Sequence, residues 1–217
     1  MLKKSRYFLF LFFLLAINAS AQKLSGINLE GIDPAQLARL FEQGNMVLVK
    51  TNPDGTLKEV VAGALVNAPL DVVWEVINDY PHYPEFMPQT TAEKIVEKKS
   101  ATQLITEQTV EIKIWLIKVH LTYQLLHKLE PKRKIRFTHY AGDLPGTSGG
   151  WDLLPVPETN QTIIFYLLYS NLTSLSWPVG SIMKSQPDFF TAVNVSTATL
   201  VVKAVKKEAE KRAQQEK

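Results

Sequence analysis

The sequence predicts an α+β fold, an antiparallel sheet with one long helix packed on it, and three observations carry the prediction. Segments rich in Ile, Val, Leu and Thr recur over residues 92–170, with two-residue alternation such as Val119, Leu121 and Tyr123 against His120, Thr122 and Gln124. That period marks half-buried strands. Clusters of Pro, Gly and Asn punctuate these segments and reverse the chain between them. After Pro187-Asp188, the residues Phe189, Phe190, Val193, Leu200, Val201, Ala204 and Val205 return at helical spacing. The 217 residues include no cysteine and show no internal repeat, so burial in one core has to supply the stability.

The elements follow in order. Met1 to Arg6 is basic, residues 7–16 are apolar, and Ala19-Ser20-Ala21 is small. This pattern predicts a signal peptide over 1–21, cleaved after Ala21, and the apolar run falls short of the ~20 residues a bilayer span needs. Loss of Lys3, Lys4 and Arg6 would bring the 24 basic residues down to 21, matching the 21 acidic ones. Such a balance gives no footprint for nucleic acid or an anionic membrane, and the short apolar run with no cysteine to carry a lipid leaves no stable membrane anchor expected. The expected location is across an inner membrane, in a bacterial periplasm.

Residues 22–61 read as an N-terminal helix and strand elaboration. Asp33 and Pro34 open a short helix carrying Ala35, Leu37, Leu40 and Phe41, and Gly44 closes it. Residues 46–50 and 57–66 flank Asn52-Pro53-Asp54-Gly55 and form a hairpin. Pro69 starts a second helix with the stripe Val72, Val73, Val76 and Ile77, ended by Tyr80-Pro81. Prolines break residues 83–88 into one helical turn and a bend. Strands are expected over 92–129, 135–141, 150–156 and 162–170. The terminal helix ends in Lys and Glu, and 208–217 reads as a charged, solvated helical tail.

The segment 66–88, VNAPLDVVWEVINDYPHYPEFMP, resembles the first strand, helix and bend of the polyketide cyclase/dehydrase and lipid-transport family. That family lies in the START-like (helix-grip, SRPBCC) superfamily, and the likeness is to its coenzyme Q-binding-protein-like branch. Ala68-Pro69, Asp79-Tyr80 and Tyr83-Pro84-Glu85-Phe86 stand in the family's order and spacing. Gly149-Gly150-Trp151 at a strand start and Phe189-Phe190 early in the last helix extend the likeness over residues 62–207. The resemblance implies a helix-grip fold, with a curved antiparallel sheet wrapped around the C-terminal helix, short helices after the first family strand and an apolar cavity between sheet and helix. It also implies binding of a hydrophobic small molecule there (a lipid, quinone or similar), as carrier or sensor. The alternatives are a cyclase- or dehydratase-like enzyme acting on a polyketide or aromatic substrate, and a protein-interaction module. No cofactor is implied, and membrane contact would be transient.

Within that implied cavity, Trp74, Ile77, Tyr83 and Phe86 are expected at the mouth, and Tyr123, Phe137, Trp151, Phe165, Phe190 and Val201 in the walls. Aromatic stripes at these periods also fill ordinary cores. Asn194 and Thr197 share a helix face and need partners if buried, and a polar ligand group is one such partner. For the enzyme alternative, the acid–base candidates are His139, Tyr123 and Asp152. His82, His120, His127 and His139 lack metal-ligand spacing, so no metal is expected. Gly146 to Gly150 matches G-x-S-x-G, but a turn before Ser148 and a strand after it are the wrong context for a nucleophile elbow. Lys132-Arg133-Lys134 reads as a solvated turn. Ile164 or Leu168 is expected on the convex sheet face, where an apolar patch would suit a protein partner.

Overall fold

The structure, a computed structural model, describes residues 26–114 and 117–215. The expected signal peptide and its cleavage point lie outside the described residues. Helix α1 (Pro34–Phe41) begins where the Asp33 carboxylate accepts from the Ala35 amide at 2.9 Å. Strands β1 (Met46–Thr51) and β2 (Leu57–Val66) form the hairpin, which turns through Gly55 at φ +83°, a left-handed conformation that glycine adopts without strain. Helix α2 (Leu70–Asn78), a 3-10 turn (Tyr80–His82) and the single turn α3 (Tyr83–Phe86) follow as the prolines predict. Six strands come next: β3 (Thr90–Ser100), β4 (Gln103–Ile114), β5 (Ile117–Glu130), β6 (Lys134–Gly142), β7 (Ser148–Val156) and β8 (Gln161–Tyr169). A 3-10 turn (Leu172–Ser174), α4 (Val179–Ser185) and the long α5 (Pro187–Gln215) complete the chain.

The eight strands form one curved antiparallel sheet in the order β1-β2-β8-β7-β6-β5-β4-β3. Pairing of β2 with β8 joins the early hairpin to the last strand, so the elaboration is continuous with the sheet. Val60, Ala62, Ala64 and Val66 of β2 and Ile164, Tyr166 and Leu168 of β8 face α2 and α5 across the main core. The opposite face carries Val61, Leu65, Ile163, Phe165 and Leu167 under Leu37, Ala38 and Phe41 of α1. Burial on both faces explains why β8 is apolar without alternation. It also corrects two expectations. Ile164 and Leu168 belong to the concave face, and Phe165 lies on the convex face, its ring 5.7 Å from that of Phe41. The patch that would have favoured a protein partner is therefore core. Gly63 permits this arrangement, because a Cβ there would lie 2.8 Å from Phe165 and 2.9 Å from Phe41.

Toward β3, the convex face is polar. Lys94 pairs with Glu107 at 2.8 Å, Gln124 donates to Glu107 at 2.9 Å, and Lys118 pairs with Glu111 at 3.1 Å. The end of α5 differs from the solvated tail expected over 208–217. Within the described residues the helix runs unbroken to Gln215, with Ala209 fully buried and Arg212 paired to Asp79 at 2.8 Å and Glu208 at 2.9 Å. The Asn67 amide also donates to Glu210 at 2.9 Å. The reason is the seam Ala198, Val202, Val205, Ala209, which carries the buried stripe on among the charges.

Candidate functional site

Helix α5 packs against β2, β8 and α2, while β4, β5 and β6 curve away from it and leave a space. The result is a cavity of about 370 Å³, a size typical of small-molecule sites. Val110, Ile112, Tyr123, Leu125, Phe137, Tyr166 and Leu168 line the sheet side. Phe189, Val193, Thr197 and Val201 line the helix side, with Met87, Pro88, Leu144 and Leu172 at the margins.

A second space of about 50 Å³ adjoins the first, and Tyr83, Gln108, Leu125, Phe137 and Tyr166 line both. Its other walls are Ile77, Tyr80, Glu93, His127, Ile135 and Trp151, so the buried carboxyl and imidazole belong to this inner chamber and not to the cavity. The Tyr80 hydroxyl lies 3.3 Å from His127 Nδ1, and Thr106 Oγ1 lies 3.0 Å from His127 Nε2. In a neutral imidazole one of these ring nitrogens donates and the other accepts, so both contacts are satisfied by the two hydroxyls. Burial pushes the His127 pKa down to about 3, leaving the ring neutral. Burial pushes Glu93 up to about 8 against the opposing Thr106 hydrogen bond. Glu93 Oε2 is buried and accepts no hydrogen bond from any described residue.

Of the residues singled out from sequence, Tyr83, Tyr123, Phe137, Thr197 and Val201 line the cavity. Ile77 and Trp151 line the inner chamber instead. Trp74 and Phe86 pack against the core at its edge and line neither space; Phe86 contacts Tyr83 edge-on at 5.4 Å, with the Arg212 guanidinium 5.9 Å from its centroid. Phe190 turns away from the cavity toward Tyr169, at 6.0 Å, and Phe189 takes the cavity position. Asn194 is fully buried, but it accepts from the Ser170 amide at 2.7 Å and donates to the carbonyls of Ser170 and Phe190 at 3.3 and 3.1 Å. Its polar atoms clasp α5 to the end of β8.

The acid–base candidates divide in the same way. Tyr123 lines the cavity as a phenol that burial keeps protonated. His139 pairs with Leu125 in the same register as Phe137 with His127, but its ring reaches the Gly142 carbonyl at 3.1 Å and lines neither space. Asp152 holds Arg136 through two contacts of 2.7 and 2.8 Å, close to Gly26 on the outer side. Ser148 is buried at the start of β7, with no helix after it, and Gly149 is bare because a Cβ would meet the Phe137 ring at 2.1 Å. Lys132 pairs with Asp71 at 2.7 Å and Arg133 with Glu130 at 3.2 Å in an exposed turn. Among the described residues, no three His, Asp or Glu side chains converge to hold a metal.

Sequence reasoning missed Glu93, Thr106, His127 and Tyr80. Glu93 sits in the charged string Glu93 to Lys99 and reads as solvated, and only a register shift between Thr90 and Ala92 turns both Thr90 and Glu93 inward.

The sequence profile of the family described as polyketide cyclase / dehydrase and lipid transport matches residues 66–187, over half of the chain. The chain belongs to this family. Solved structures share the family's START-like, helix-grip fold with it. One is a protein from Thermus thermophilus with a TM-score of 0.59 at 15% identity, covering 71% of this chain and 99% of that one. Another is the Zhui aromatase/cyclase from a Streptomyces species, at 0.55 and 21%, covering 71% and 94%. A third is a fragment of a STAR-related lipid transfer protein from Xanthomonas axonopodis, at 0.56 and 16%, covering 77% and 94%. At these identities the likeness is one of fold. No curated protein matches the chain in sequence. In this polyketide cyclase/dehydrase and lipid-transport family member, the described match ends at the start of α5, and the hairpin partner β1 and helix α1 lie before it.

Proposed function

We propose that this protein takes up a hydrophobic small molecule, a lipid, quinone or similar, in the cavity under α5 and serves as an exported carrier or sensor. The observation that carries the reading is the 370 Å³ space whose walls are mainly Val, Ile, Leu, Phe and Tyr side chains. A guest burying ~200 Å² of apolar surface there gains about 5 kcal/mol before ordering costs. Family membership supports the ligand class, and the basic, apolar and small-residue order of residues 1–21 supports export. Native mass spectrometry of protein purified from its own host tests this. A co-purifying apolar guest is expected, and repeated absence of one, with no uptake of added lipid, overturns the reading.

A second reading, a cyclase- or dehydratase-like enzyme, is favoured by the buried Glu93 and His127. Acid–base turnover of a carbon skeleton calls for more than one titratable group at the reacting atoms. Both ring nitrogens of His127 are engaged by Tyr80 and Thr106, which leaves Glu93 Oε2 as the one titratable atom of this series facing the chamber without a protein partner. Binding is therefore the better supported function. The same mass measurement separates the two, because a carrier returns its guest unaltered.

A further inference from the structure

We propose that Glu93 anchors the guest by an uncharged oxygen, its Oε2 bonding to a carbonyl or hydroxyl at the inner end of an otherwise apolar molecule. This rests on the reading that the cavity holds such a molecule. Glu93 Oε2 is buried and without a partner among the described residues, and an atom so placed costs stability unless something hydrogen-bonds it. The chamber it faces, about 50 Å³, has room for a small polar group. The remainder of the series is complete without a ligand, since Tyr80, His127 and Thr106 satisfy one another.

The chemistry of the head group follows from what faces Glu93. Tyr80 stands in the 3-10 turn, Tyr83 in α3, Thr106 and Gln108 in β4, Tyr123 and His127 in β5, and Tyr166 in β8. Burial keeps the four phenols protonated and the imidazole neutral, so these walls present no cation. A carboxylate head at the inner end would find no counter-charge there, since Lys113 lines only the larger cavity, and its desolvation would be costly. An ammonium guest would face a carboxyl that burial holds protonated at neutral pH. A neutral oxygen meets neither obstacle, and a protonated Oε2 is the donor it needs. β3 is also an edge strand, where an inward acidic residue can serve only to discourage pairing with other chains. The test separates that role from anchoring.

Equilibrium dialysis of the full chain at pH 6.5 against naphthalene, 2-acetylnaphthalene and 2-naphthoate decides the matter. The ketone is expected to bind about tenfold more tightly than the hydrocarbon, as one neutral hydrogen bond to a buried group provides, and the carboxylate more weakly than either. Glu93→Leu should abolish the preference for ketone while still binding naphthalene, and Glu93→Gln, whose amide also donates, should keep most of it. In the wild type the preference should fade as pH rises past about 8, where Glu93 ionises, and in Glu93→Gln it should not. Equal affinity for ketone and hydrocarbon in the wild type, or a preference that survives in Glu93→Leu, overturns the anchor and leaves the cavity reading standing. If none of the three probes binds, the cavity reading falls and the anchor with it. Should Glu93→Leu fail to fold, Glu93→Gln and the pH series still decide.

Discussion

The cavity under α5 and the chamber beside it share five wall residues, yet they are built on different terms. The cavity is made of side chains that could trade places with other hydrocarbons at modest cost, because apolar contact is not directional. The chamber is built on directional contacts, Tyr80 and Thr106 each holding one ring nitrogen of His127, with the buried Glu93 carboxyl beside them. On the proposed reading, capacity for a guest and choice of its head group fall to separate parts of the molecule.

The largest expected effect tests the chamber through stability. Glu93 has a folded pKa near 8 against an ordinary 4.5, so its protonated form favours the fold fully below 4.5, and this support is lost as pH rises toward 8. His127 has the opposite sign. Its folded value near 3 against an ordinary 6.5 gives stability that is complete above 6.5 and lost as pH falls toward 3. Where the two intervals overlap, from 4.5 to 6.5, the slopes oppose each other and stability should level off. Urea denaturation of the wild type should then show a decline of about 2 kcal/mol between that plateau and pH 8, by linkage. Glu93→Gln should remove the alkaline decline and turn the plateau into a rise. The difference between the two proteins should thus change by about 5 kcal/mol across the whole Glu93 interval. An alkaline decline of equal size in Glu93→Gln would show that the chamber carboxyl is not its source.

A smaller effect tests the cavity. Val201→Trp places an indole in the space opposite the sheet, and guest affinity should fall on the order of a hundredfold while stability changes by under about 1.5 kcal/mol. Dialysis against naphthalene and urea denaturation read the two separately. A loss of stability without loss of affinity would mean that Val201 packs in solid core. Smallest is Asn194→Leu, which removes the clasp to Ser170 and should cost about 2 kcal/mol through the unpaired Ser170 amide. Guest affinity should stay within about threefold by dialysis, since Asn194 lines neither space.

What could be read in advance divides along the same line. The stripe of α2, the prolines of the bend and the period of α5 gave the elements, because each depends on local spacing. Tyr123, Phe137 and Val201 reached the cavity for the same reason. Phe165 and Phe190 did not, since choosing a face of a two-sided strand or a crowded helix requires knowing that α1 covers one side and Tyr169 waits on the other. His139 keeps the parity of Phe137 and still lines neither space, because its ring turns to the Gly142 carbonyl, whereas Glu93 was hidden by a single register shift among charged neighbours. Bulges of this kind depend on the partner strand and leave no mark in the spacing of their own.

The bare backbone at Gly63, where Phe41 and Phe165 close in, bears on how the protein can be shortened. Trimming to residues 62–207 would strip away α1 together with β1. Val61 would go too, and a greasy strip of Leu65, Ile163, Phe165 and Leu167 would face solvent, an invitation to clump. A workable minimal unit therefore starts near Gly26, ahead of α1 and well before the stretch that makes the family visible.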